Sequence, residues 1–439
     1  MSAWGRAFRP VPRRPSDLTV DTWIAGAIFA AAYVLIALDR LDRTLVALLA
    51  GLLVVALGIV DQHDAFAAID LNVIFLLAGM MVIASSLAKT GLFEWLAIRA
   101  VRVSRGEPFR LLLVLALVTA VLSAFLDNVT TVVLTTPITL SVARRLEVSP
   151  MPYLISQILA SNIGGTATLI GDPPNILIGS AAGLDFVDFL ANLAPVTIVV
   201  FLAYAVIMRF AFRGHLQVPE HRREAALAQA EAGVITDRPL LLRSLVVAGL
   251  TLAGFLLHAV LGVEAATVAL LGATVLMLVA RIDPHDALRE IEWSTLFFFV
   301  GLFILVEAVV EVGIVGAVAD WLAAVTGGHV GLASIGLLWF SAIASAIVDN
   351  IPYTATAIPV VGRLVEDGLP ADPLWWSLAL GACLGGNLTI VGASANVVVA
   401  NMGARAGQPI RFVEFFRYGS VVVVVSLVIS TGYVWLRYL

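Results

Sequence analysis

The stretch FLDNVTTVVLTTP at 125–137 returns as IVDNIPYTATAIP at 347–359, so Asp127, Asn128 and Pro137 match Asp349, Asn350 and Pro359 at an offset of 222. The same offset relates Asp64 to Asp286, Ile69 to Ile291, Gly79 to Gly301 and Gly91 to Gly313. At an offset of 221, GGTATLIGDPPN (164–175) returns as GGNLTIVGASAN (385–396). Gly164, Gly165, Thr168, Gly171 and Asn175 are thereby kept as Gly385, Gly386, Thr389, Gly392 and Asn396. FVDF (186–189) likewise returns as FVEF (412–415). Chance identities are common among Leu, Val and Ala, but matched Asp-Asn and Gly-Gly pairs are not. The chain is therefore expected to hold a polar arm (1–21), a first repeat (22–212), a cytoplasmic linker (213–239) and a second repeat (240–439).

The repeated unit is too apolar for water. Of 439 residues, 60% are hydrophobic and 13% charged, about half the charge of an average soluble domain. Windows such as 23–38, 111–126, 196–212, 240–257, 294–310 and 420–436 suit a bilayer core, which needs about 20 mostly apolar residues. An all-α polytopic protein of the cell (inner) membrane is expected. The arm holds four arginines and three prolines and lacks the apolar run of a signal peptide. One cysteine, Cys383, excludes an internal disulfide and a Cys-based metal cluster. No HExxH, P-loop or dinucleotide-binding GxGxxG unit is present. No catalytic residue, metal, cofactor or nucleic-acid partner is expected, and the chain is read as a non-enzyme.

In the first half, spans are expected near 22–38, 44–60, 71–88, 151–181 and 192–212. The apolar pair 109–126 and 129–144 meets at Asp127-Asn128, a polar dipeptide in mid-run that suggests a re-entrant hairpin. Five crossings per half would turn the second half upside down relative to the first, giving about ten spans plus two hairpins in two inverted repeats, a plan shared by many secondary transporters. With the linker inside, Lys89, Arg99, Arg102, Arg105, Arg110, Arg144, Arg145, Arg281, Arg289, Arg405 and Arg411 are also inside. The opposing loops at 61–70, 182–190, 259–264 and 312–330 contain no Lys or Arg, as the positive-inside rule requires. The arm, with Arg6, Arg9, Arg13 and Arg14, is the exception. The linker could form a short surface helix.

Irregular backbone at membrane depth survives only where protein or an aqueous cavity surrounds it. The repeat supplies four such places: hairpin tips at Asp127-Asn128-Val129-Thr130-Thr131 and Asp349-Asn350-Ile351-Pro352-Tyr353-Thr354, and helix breaks at 164–175 and 385–396. Pro173-Pro174 removes two backbone donors, and half-helix ends suit ions. The candidate substrate-binding residues are Asn128, Thr130, Thr131, Gly165, Thr166, Thr168, Asn175, Asn350, Thr354, Asn387, Thr389, Ser394 and Asn396. Asp127, Asp172 and Asp349 are the candidates for proton or ion coupling. Asp127 and Asp349 equally suit helix N-caps, a role compatible with binding. Asp172 has no acidic mate, since Ala393 stands at its equivalent, and reads as a proton or sodium site. Glu307 and Glu311 read as mouth residues, His258 as interfacial, and Cys383 as a packing residue among small neighbours.

FLDNVTTVVLTTP together with SNIGGTATLIGDPPN resembles the ion transporter superfamily, most closely the group of ArsB-type arsenite permeases, the melanosomal P protein and NhaD-type sodium/proton antiporters. The resemblance covers essentially the whole chain. It implies an elevator transporter in which the first three spans of each half form a scaffold and the hairpins and broken helices form a mobile domain. It further implies a homodimer, and leaves room for a cytoplasmic ATPase partner. Related divalent anion/sodium symporters carry Ser-Asn-Thr at equivalent tips. Here Asn128-Val129-Thr130 follows Asp127, an extra acid that disfavours a dicarboxylate. The expected activity is proton-coupled efflux of arsenite or antimonite, whose uncharged trihydroxide presents hydroxyls to Asn and Thr. The alternatives are a sodium/proton antiporter, a sodium- or proton-coupled symporter for sulfate or a carboxylate, and, in another class, a channel or membrane receptor.

Overall fold

The structure is a computed structural model that describes residues 19–38, 40–212 and 235–439. Most of the N-terminal arm, and residues 213–234 of the linker with its expected surface helix, lie outside the described residues. All regular secondary structure among the described residues is helical. The first half runs α1 (Val20–Leu38), α2 (Arg43–Ala56), α3 (Gln62–Ala67), α4 (Leu71–Ala88), α5 (Leu92–Val103), α6 (Pro108–Phe125), α7 (Asn128–Arg145), α8 (Met151–Gly165), α9 (Pro173–Ala182) and α10 (Phe186–Phe212). The second runs α11 (Arg238–Leu261), α12 (Ala265–Ala280), α13 (Pro284–Arg289), α14 (Trp293–Glu311), α15 (Ile314–Thr326), α16 (Val330–Val348), α17 (Asn350–Glu366), α18 (Ala371–Gly385), α19 (Ser394–Arg405) and α20 (Phe412–Tyr438). The same succession of long, short and broken helices thus occurs twice.

Local chemistry explains the boundaries. Asp42 accepts hydrogen bonds from the backbone N–H groups of Thr44 and Leu45 at 2.9 and 3.2 Å, capping α2. Asp70 caps α4 in the same way, through Asn72 and Val73 at 2.9 and 3.3 Å. Gly91 and Gly313 turn the chain into α5 and α15 at φ 79° and 82°, a left-handed conformation that glycine adopts without a Cβ clash. Among the described residues, eight helices are long and apolar enough to cross a membrane, including the first hairpin arms α6 and α16. The remaining expected spans are built differently. α2 has 14 residues, about 21 Å at 1.5 Å per residue. Each broken helix is assembled from two short pieces, α8 with α9 and α18 with α19.

Packing ties the halves together through equivalent surfaces. α2 packs on α14 and α4 on α12, while α7 packs on α19 and α9 on α17. The closest approaches lie at glycines. A Cβ on Gly79 would stand 2.7 Å from the carbonyl carbon of Ala269, and one on Gly301 would stand 2.5 Å from that of Ala47. These contacts are related by the offset of 222 at both partners. Close backbone approach of this kind replaces hydrophobic driving force in lipid, where helix association depends on packing.

Candidate functional site

Each break is held by an asparagine that reaches back to the carbonyls the break exposes. Asn175 donates from Nδ2 to the carbonyls of Thr168 and Thr166 at 2.9 and 3.2 Å. Its mate Asn396 donates to Gly386 and Thr389 at 2.7 and 2.9 Å. Amide side chains suit this because one group offers two donors and an acceptor. The acceptor ends reach the other half. Asn162 Nδ2 donates to Asn396 Oδ1 at 2.9 Å, and Cys383 Sγ donates to Asn175 Oδ1 at 3.4 Å. Asn162 and Cys383 are themselves equivalent at the offset of 221. The breaks are therefore cross-bonded, with amide and thiol in matching places.

The hairpin tips converge on Asp172. Asn128 Nδ2 lies 3.1 Å from Asp172 Oδ1, and Asn350 Nδ2 lies 3.1 and 3.2 Å from the two carboxylate oxygens. Asn128 also donates to Asn162 Oδ1 at 3.1 Å. Asp172 occupies the N-cap position of α9, yet its side chain makes no capping bond. The backbone does not need an acid there: Asp172 stands at φ −144°, ψ 132° and Ala393 at φ −151°, ψ 144°. The carboxylate is wholly buried and its side-chain geometry is directed at the two tip amides. Buried carboxylates at membrane depth are costly and are kept for function.

Both acids at the tips do cap helices. Thr130 N–H donates to Asp127 Oδ1 at 2.8 Å, and Ile351 N–H donates to Asp349 Oδ1 at 3.0 Å. Asp349 alone is strained, at φ 96° and ψ 143°, a region that ordinarily costs about 1–3 kcal/mol. Ser394 Oγ donates to its Oδ2 at 2.8 Å, and Arg43 Nη1 lies 3.7 Å from the same oxygen while also donating to Ser394. Arg43 is further held over the Phe298 ring at 5.5 Å. From α1, Tyr33 Oη donates to the Pro352 carbonyl at 2.7 Å. The second tip thus meets the first two helices of the other half.

Of the sequence-selected residues, Asn128, Asn350, Asp172, Asn387 and Asn396 join one buried polar cluster with Asn162; Asn387 accepts from Asn162 at 2.9 Å. Several threonines face elsewhere. Thr166, Thr168, Thr354 and Thr389 donate their hydroxyls to the carbonyls of Asn162, Ala124, Asn350 and Ala346, bracing the tips and breaks. Thr130 contributes its backbone N–H, while Gly165 lets the two sides of the first break approach, a Cβ there standing 2.5 Å from Gly171 O. Thr131 is buried with an unpartnered hydroxyl. Sequence reasoning missed Asn162, Arg43 and the contact made by Cys383. The first was visible as the Asn of SNIGG, whereas Arg43 lies more than 300 residues from its partners. His258, in the last turn of α11, is buried: it accepts from Phe186 N–H at 3.4 Å and its Nδ1 lies 3.0 Å from Val263 O.

Asn162→Ala should lower folded stability by about 2–4 kcal/mol. Membrane hydrogen bonds average about 0.6 kcal/mol each, and the amides of Asn387 and Asn396 would lose a donor at extra cost. Thermal unfolding of the detergent-solubilised chain measures this; an unchanged midpoint would show that the cross-bonding carries no load.

A multi-pass bundle with paired hairpins, paired helix breaks and a buried acid between them defines a membrane transporter. A profile described as "Citrate transporter" (CitMHS) matches residues 33–381, and the chain belongs to that family of secondary transporters. It is 47% identical over 424 residues to an uncharacterized transporter of Mycobacterium tuberculosis, covering 94% of this chain and 98% of that protein. It is 45% identical over 423 residues to a 46 kDa membrane protein of Mycobacterium leprae, covering 95% and 99%. The human P protein is 33% identical over 497 residues, covering 93% of this chain and 59% of that protein, in keeping with the resemblance read from the motifs. The crystal structure of the Alcanivorax borkumensis YdaH transporter superposes with a TM-score of 0.55 at 16% identity, over 96% of this chain and 99% of that one. That likeness speaks to the fold alone.

Proposed function

We propose that the protein, built as two inverted repeats, exchanges protons for a small, uncharged, hydroxylated solute, with arsenite or antimonite as the substrate class, by an elevator movement of the hairpins and broken helices against the scaffold spans of both halves. The observation that carries this reading is Asp172, buried between Asn128 and Asn350 on opposite hairpin tips. A carboxylate in that position binds either a proton or a partner that satisfies it. Deprotonated, it accepts hydroxyl donors from a solute such as As(OH)3, while tip amides donate and accept around it. Protonated, it loses much of that attraction and releases the solute. Competition of proton and solute for one group is sufficient for exchange. Asp127 and Asp349 beside the tips make the surroundings unwelcoming to a polyanion. One cysteine in the site suits release, because a thiol cage would hold trivalent arsenic too tightly.

Carboxylate symport is the second reading. The family description favours it, as does Arg43, whose guanidinium reaches Asp349 and Ser394 and offers a counter-charge. Sodium/proton antiport would use Asp172 with the unpartnered Oδ1 of Asn128. Everted vesicles holding the chain, given a pH gradient and then arsenite, Na+ or citrate in turn, separate the three. Arsenite accumulation with proton movement is expected. Arsenite that neither accumulates nor moves protons would sink the first reading.

A further inference from the structure

The two halves differ along one buried face of their hairpins, running from the tip away from the solute site. On α7, Asn128, Thr131, Thr135 and Thr139 recur at spacings of three and four and share one buried face. Thr136 lies beside them, and Gln157 on α8 faces Thr119 on α6, its Nε2 donating to the Thr119 hydroxyl at 3.3 Å. At the equivalent positions of the second half, Thr131, Thr135, Thr136, Thr139 and Gln157 become Tyr353, Ala357, Ile358, Val361 and Leu378. Tyr353 keeps a hydroxyl, which meets Ser341 Oγ at 2.8 Å, but the other four replacements are apolar, so the same hairpin forms without the polar groups of Thr135, Thr136, Thr139 and Gln157.

These groups are also poorly satisfied. Ten buried side-chain polar atoms lack a hydrogen-bond partner among the described residues, and five belong to this row: Asn128 Oδ1, Thr131 Oγ1, Thr136 Oγ1, Thr139 Oγ1 and Gln157 Oε1. A buried polar atom without a partner costs about 1–3 kcal/mol, so five together are not a neutral packing choice. Thr119, Thr135 and Gln157 line a cavity of about 10 Å³ with Leu115 and Ile138, close to the space one water needs. A water is stable where it finds two to four polar partners, and Thr119, Thr135 and Gln157 supply three. From Asn128 to Thr139 the helix rises about 16 Å, about half of a hydrocarbon core. One end touches Asp172 through Asn128; the other approaches Arg144 and Arg145, read from the loop charges as cytoplasmic.

We infer that the α7 face of the first half, bounded by Gln157 and Thr119, is a hydrated proton path between the Arg144 end of the hairpin and Asp172. This rests on the proton-exchange reading above and deepens it, assigning the proton its own route. Protons pass along hydroxyls and waters by exchanging O–H bonds, so no side chain on the path has to titrate. Titratable and charged groups stand at its ends: Asp172, Asp127, Asp349 and Cys383 at one, Arg144, Arg145 and Glu147 at the other. On neighbouring helices Glu94, Arg99 and Arg102 of α5, Arg110 of α6 and Arg405 of α19 are exposed.

The test is a pH jump on the full chain in liposomes, followed by infrared spectroscopy of buried carboxyl groups. The band lost in Asp172→Asn identifies Asp172. In the combined variant Thr135→Val, Thr139→Val, Gln157→Leu, protonation of Asp172 should slow by at least tenfold. Arsenite counterflow without a gradient should stay within twofold, and the unfolding midpoint should not fall. A Ser341→Ala variant, at the equivalent of Thr119 in the second half, should leave the rate unchanged. An unaltered protonation rate in the combined variant overturns the path while leaving proton exchange standing. If no wild-type band is lost in Asp172→Asn, or if it does not respond to pH, the proton-exchange reading itself fails and the path with it.

Discussion

Vesicles carrying Asp172→Asn should lose gradient-driven transport by about a hundredfold, near the upper end of typical coupling between two sites. The carboxamide retains the shape of the side chain and one acceptor for Asn128 or Asn350. It cannot bind and release a proton, and its NH2 group opposes the donors that face it. Stability should change little, because Ala393 holds the same backbone conformation at the equivalent position without any acid. Asp172→Ala should remain uncoupled as well, but with a lower unfolding midpoint, because the buried amides of Asn128 and Asn350 lose their shared acceptor. Undiminished proton movement in the Asn variant would reduce Asp172 to a structural residue and leave Asp127 or Asp349 as the carrier.

The second large effect concerns the contact between halves. Gly79→Val and Gly301→Val should each abolish or sharply reduce the yield of folded chain, with losses of about 3 kcal/mol or more. A new Cβ would stand 2.7 Å from the Ala269 carbonyl carbon in one case and 2.5 Å from that of Ala47 in the other. Neither obstacle is the end of a flexible side chain, so relief requires helices to separate. Overpacking ordinarily costs about 1–3 kcal/mol and more where backbone must move. Gly249 provides the contrast, since nothing lies within 4 Å of its added Cβ. Gly249→Ala should be neutral or stabilising by up to about 1 kcal/mol through helix propensity. Size-exclusion profiles and thermal unfolding in detergent read all three. Equal behaviour of Gly79→Val and Gly249→Ala would show that the interface between the halves is not close-packed.

Much of this was legible in the residues. Asp127 and Asp349 announced hairpin turns because an acid followed by Asn in an apolar run suits an N-cap, and both do cap. Gly164-Gly165 and Pro173-Pro174 announced a break because neither pair sustains a helix. The site was less legible, for reasons of partner choice. Thr166, Thr168 and Thr389 look like solute ligands in a sequence, but a freed carbonyl nearby is a stronger local competitor for each hydroxyl. Cys383 looked like packing among small residues, and only its opposition to Asn175 reveals a polar role.

The sequence by itself determined the helical class, the duplicated order of its elements, the four places where helices stop in mid-membrane and the acid of the first break, Asp172, that has no mate in the second. These follow from apolar length, local capping and glycine or proline chemistry, which act over a few residues. The tertiary structure alone decided that both tip asparagines meet Asp172, that Asn162 crosses to Asn387 and Asn396, and that Arg43 reaches Asp349. The last two join atoms more than 220 residues apart. A repeat specifies which positions are equivalent. Which equivalent atoms touch depends on how closely the glycines let the two halves approach.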